Sequence, residues 1–77
     1  MMTMRVLVSL YSGLRSDRFA EAEVELSEGA AVTDLLDKLQ IPLQDVGIIV
    51  VNARSGTFQQ KLQADDRITL IPPIGGG

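Results

Sequence analysis

The last six residues, Pro72-Pro73-Ile74-Gly75-Gly76-Gly77, first stiffen the chain and then shed every side chain. The chemical group such a segment presents is the backbone α-carboxylate of Gly77. A carboxylate is a poor electrophile, and it becomes a good one once a partner enzyme adenylates it with ATP. That requires the terminus to enter a nucleotide site inside another protein. At roughly 3.3 Å per extended residue, Pro72 to Gly77 reach about 20 Å. The paired prolines favour an extended, low-entropy start, so docking forfeits little freedom. Glycines without Cβ atoms thread a narrow channel and accept unusual φ/ψ angles. A side chain near Gly77 would crowd an acyl adenylate, whereas Ile74 is spaced to act as an apolar anchor in the partner. The competing reading is a frayed end with no role.

Little else in the chain can do chemistry. It has no Cys and no His, which removes disulfides, thiolate nucleophiles, the usual general base and the commonest metal ligands. Neither a metal site nor a permanently bound cofactor is expected; ATP belongs to the partner. Asp65-Asp66 reads as a tight turn whose carboxylates bond nearby backbone. Glu21, Glu23 and Glu25 alternate with Ala22, Val24 and Leu26, a strand with a solvated carboxylate row that also discourages edge-to-edge aggregation. A cation or a cationic partner on that row is the alternative. The net charge is −3, with lysines only at 38 and 61, scattered arginines, and Tyr11, Phe19 and Phe58 as the aromatics. No basic stripe for nucleic acid results. The longest apolar run falls far short of a bilayer span, and MMTMRVLV lacks a signal-peptide layout. These features read as a soluble, cytoplasmic protein that is not itself an enzyme.

Seventy-seven residues allow one small core. Alternation over 4–11 makes a strand with Met4, Val6, Val8 and Leu10 on one face and Arg5, Leu7, Ser9 and Tyr11 on the other. A loop over 12–20 and a strand over 21–28 follow. Val32, Leu35, Leu36 and Leu39 make one helical stripe over 32–40, with Thr33 as cap and Pro42 beyond the end. The apolar run 46–53 predicts a strand buried on both faces or inside the sheet. Residues 54–57 read as a turn, 58–60 as a short strand, and 62–66 as a connector anchored by Leu62. Residues 67–71 read as a last strand, ended by prolines that donate no N–H. The expected fold is α+β, a mixed four- to five-stranded sheet with one main helix on one face. The first and last strands pair in parallel at its centre, as in the β-grasp of ubiquitin. Residues 1–71 would be the folded body and 72–77 an extended tail. Leu7 and Tyr11 would lie on the face that the helix leaves open and contribute to partner docking.

The chain resembles the ubiquitin-like sulfur-carrier family, which includes the small subunit of molybdopterin synthase and the sulfur carrier of thiamine thiazole synthesis. Arg5-Val6-Leu7-Val8, the pattern from Gly29 to Leu39, Val50-Val51-Asn52 and the stretch Leu62–Gly77 carry the likeness, the Pro72–Gly77 terminus being the specific part. The resemblance implies that an adenylyltransferase of the ubiquitin-activating type adenylates Gly77. Sulfur is then loaded as a thiocarboxylate and passed to an acceptor in a second partner, the molybdopterin synthase large subunit or thiazole synthase. The double proline and the length lean toward the molybdopterin type. Ala64-Asp65-Asp66 and Asn52-Ala53-Arg54 depart from the family's usual turns and leave the pathway open. A protein modifier joined to target lysines through Gly77 would share the activation step. An interaction module without tail chemistry would not need it.

Overall fold

The computed structural model describes residues 2–73. Five strands and one α-helix appear: β1 (Thr3–Leu10), β2 (Glu21–Ser27), α1 (Val32–Leu39), β3 (Ile48–Val51), β4 (Arg54–Ser55) and β5 (Arg67–Ile71). The strands form one mixed sheet in the order β2-β1-β5-β3-β4. β1 and β5 run parallel in its middle, from Leu7 beside Arg67 to Leu10 beside Leu70, and the remaining pairs are antiparallel. This is the β-grasp arrangement, with the helix on one face.

The core lies between helix and sheet. Val6, Val8 and Leu10 of β1 and Ile68 and Leu70 of β5 meet Val32, Leu35 and Leu36 of α1, all essentially inaccessible. Each follows from its strand's two-residue period or its helix's three-to-four-residue stripe. Burying such a side chain is worth about 1.5–3 kcal/mol, and no buried side-chain polar atom among the described residues is left without a partner.

Several local expectations need correction. The helix cap is Ala31, not Thr33: the Asp34 carboxylate accepts the Ala31 N–H at 2.8 Å. The N–H groups of Val32 and Thr33 donate instead to the carbonyls of Gln60 and Phe58, both at 3.0 Å. That task holds 58–60 as a turn over the helix start rather than a strand, with Phe58 packed on the core. Residues 54–57 are not simply a turn, because Arg54–Ser55 form β4 opposite Val51 and Val50. The reversal is Asn52-Ala53, both at positive φ, 53° and 69°. The strand expected over 46–53 shortens to Ile48–Val51 and has one open face, with Ile48 43% exposed. The loop after β1 contains a 3-10 turn, Ser12–Arg15, held by the Arg15 Nε donating to the Leu10 carbonyl at 2.7 Å.

Asp65-Asp66 is the expected turn. Asp65 has φ 70°, and Asp66 accepts the Gln63 N–H and the Asn52 Nδ2, both at 2.8 Å. On β2 the glutamates are exposed. Leu10 N–H donates to Ala20 O and Glu28 N–H to Met2 O, so the even rungs carry the β1 bonds and the glutamates turn their backbone groups to the free edge. The Lys38 ammonium bonds the Glu25 carbonyl there. Among the described residues no helix is long and apolar enough to cross a membrane, and no three acidic side chains gather to hold a metal ion.

Candidate functional site

The site starts where the sheet's central strand stops. Ile71 is the last residue of β5 and lies opposite Ile48. One further rung follows, the Gly47 N–H donating to the Ile71 carbonyl at 2.7 Å. Pro72 and Pro73 have no N–H to continue the ladder, so the chain leaves the sheet here. Pro72 is half-buried and Pro73 exposed. A shallow groove beside them is walled by Leu14 and Arg18 on one side and Gln44 and Asp45 on the other. Ile74, Gly75, Gly76 and Gly77, all expected site residues, lie outside the described residues.

The two walls are tied to rigid parts. Arg18 donates to the carbonyls of Leu14 at 3.1 Å, Leu39 at 3.3 Å and Gln40 at 3.1 Å. It thus joins the loop after β1 to the end of α1, where exposed carbonyls attract a cation. Gln40 turns left-handed with φ 58°, and the Ile41 N–H returns to the Leu36 carbonyl at 2.9 Å, closing the helix. A second 3-10 turn, Leu43–Asp45, follows at once.

The open sheet face continues the site. The β1–β5 register, carried one residue past Leu10 and Leu70, sets Tyr11 beside Ile71, which itself faces Ile48. Tyr11 is 48% exposed, its N–H donates to the Leu70 carbonyl at 3.2 Å, and the Arg15 guanidinium lies 5.7 Å from its ring centre, within cation–π range. Tyr11, Ile71 and Ile48 therefore make an apolar row at the edge from which the prolines depart. Leu7 shares this face but not this row. It is half-buried between Glu23 of β2 and Arg67 of β5, and about 13 Å from Tyr11 at roughly 3.3 Å per residue. Ile48 and Gly47 were missed by sequence reasoning. The alternation of Ile48 and Val50 against Ile49 and Val51 was the signal for Ile48.

Comparison with known proteins agrees with this architecture. The family model described as ThiS matches residues 10–77. A solved structure provisionally assigned as molybdopterin converting factor, subunit 1, from Pyrococcus furiosus is similar at 26% identity and TM-score 0.76, over 92% of this chain and 99% of that one. SAMP1 from Haloferax volcanii is similar in fold at 20% identity and TM-score 0.75, over 95% and 99%. The Haloferax volcanii protein HVO 2177 is similar in fold at 17% identity and TM-score 0.81, over 97% and 88%. No curated protein sequence matches the chain. With the family model covering most of its length, this β-grasp chain belongs to the ThiS family of ubiquitin-like sulfur carriers.

Proposed function

We propose that the protein is a sulfur carrier whose working group is the Gly77 carboxylate. The observation that supports this most is the exit of Pro72-Pro73 from the central strand, beside the Tyr11–Ile71–Ile48 row. A partner adenylyltransferase of the ubiquitin-activating type grips the open face, Leu7 and Tyr11 included. The extended end, with Ile74 as anchor and Gly75 and Gly76 as slender stem, enters its nucleotide site. There a Gly77 carboxylate oxygen attacks the α-phosphorus of ATP and pyrophosphate leaves. Hydrosulfide, or sulfur delivered at that oxidation level, then attacks the acyl carbon. AMP leaves, and a thiocarboxylate remains. In a second partner, a sulfur-accepting synthase, its sulfur attacks an electrophilic carbon of the acceptor and the group on that carbon leaves with the bonding pair. Water then cleaves the acyl–sulfur bond and regenerates the carboxylate. The body holds no cofactor of its own, and the need for ATP sets the reaction in the cytoplasm.

The paired prolines and the likeness to the Pyrococcus furiosus protein favour delivery to molybdopterin synthesis, with this chain as the small subunit of the synthase, over thiazole synthesis. The test is incubation with the candidate activating enzyme, ATP and sulfide, followed by intact mass measurement. The expected product gains the mass difference of one oxygen replaced by sulfur, and only when ATP is present. A chain unchanged by every activating enzyme of its own organism would overturn the proposal. Target proteins bearing Gly-Gly remnants on lysine would replace the carrier reading with the modifier one.

A further inference from the structure

We propose that Gly47 is a positioning residue: its missing side chain admits the Pro72-Pro73 backbone and thereby sets the direction in which the tail leaves the body. A Cβ at residue 47 would lie 2.6 Å from the Pro73 Cα, 2.8 Å from the Pro73 nitrogen and 3.1 Å from the Pro72 carbonyl carbon. All three are backbone atoms, so no flexible side chain can swing aside. Carbon atoms rest at about 3.5–4 Å, so even a methyl group must drive the proline pair roughly 1 Å outward or break the adjoining rung. That rung is the short bond from Gly47 N–H to the Ile71 carbonyl, which pins residue 47 in place and prevents it from retreating.

The glycine is not there for its backbone angles. Gly29, with φ 87°, occupies a conformation that other residues avoid, and Gly47 does not. What residue 47 supplies is absence of volume at one point, where the rigid sheet hands over to the proline root. The groove wall at Gln44 and Asp45 precedes it closely in the chain, so a single turn both shapes the groove and clears the path. Displacement at the root moves the point from which the tail must reach the reaction centre, and a reacting group about 1 Å out of place can lose 10²-fold in rate.

This inference rests on the reading of the tail as the reacting group, and its test separates the two. Wild type and Gly47→Ala are compared by ATP–pyrophosphate exchange with the activating enzyme that accepts the wild-type chain, and by NMR of Pro72 and Pro73. The docking row Tyr11–Ile71–Ile48 keeps all its side chains, so KM should hold within about twofold while kcat falls roughly 10- to 100-fold. The carbon shifts of Pro72 and Pro73 should move while those of α1 stay in place. Equal kcat in the two proteins, or unmoved proline shifts, would overturn the role of Gly47. A wild-type chain that no activating enzyme accepts would sink the tail reading instead, and the proline shifts would still decide whether residue 47 sets the root. If Gly47→Ala fails to fold, adding Pro73→Gly lets the root bend away. Recovery of the fold without recovery of kcat upholds the proposal, and a double variant that also fails to fold overturns it.

Discussion

Ala53 is a non-glycine residue held at φ 69°, in the second position of the two-residue reversal that joins β3 to β4. Hairpins of this kind want positive φ at both central residues, and Asn-Gly meets that need best. Asn52 fits: its backbone N–H donates to the Arg67 carbonyl, its side-chain Oδ1 accepts the Arg67 N–H, and its Nδ2 donates to Asp66. Ala53 does not, because its Cβ crowds the backbone at a cost of about 1–2 kcal/mol. Ala53→Gly should therefore raise the unfolding free energy by roughly 0.5–1 kcal/mol after the entropy that glycine adds to the unfolded chain. Urea denaturation checks this, and a lower midpoint would contradict it. The same scale explains what the sequence concealed. A departure from Asn-Gly is visible in the letters, whereas the demand for glycine at 47 is not, since it comes from a residue far along the chain.

Among the elements, β5 and α1 were legible because each carries one clear period. Arg67–Ile71 alternates and ends at a proline; Val32–Leu39 keeps one stripe. For β3 the expected place inside the sheet holds, since it lies between β5 and β4; burial on both faces does not, because four β-branched residues in a row look alike whether one face is covered or two. The segment 58–60 was misjudged because its job is to supply carbonyls to the helix start, a role no periodicity encodes. Arg18 is the element-scale link that composition hid. It ties the loop after β1 to the helix end through three carbonyls. Arg18→Ala should cost about 1–2 kcal/mol, and Arg18→Lys should recover less than half, because a point charge cannot span the same fork. Hydrogen exchange should speed up at residues 14–18 and 40–41 in both variants, and unchanged protection there would refute the assignment.

For the molecule as a whole, stability and reactivity are divided along the chain. Among the described residues the buried core runs from Met4 to Leu70, so removing Gly76 and Gly77 should abolish activation yet shift the melting temperature by less than about 2 °C. A large drop would show that the end also braces the body. The parallel match of β1 with β5 carries one more consequence, for folding. Of the five described strands, β5 comes last in chain order yet closes the middle of the sheet, so β1, β2 and α1 keep apolar surface uncovered until it docks. A chain lacking Arg67–Ile71 would lose Ile68 and Leu70 from the core and leave β1 and β3 without the strand that joins them.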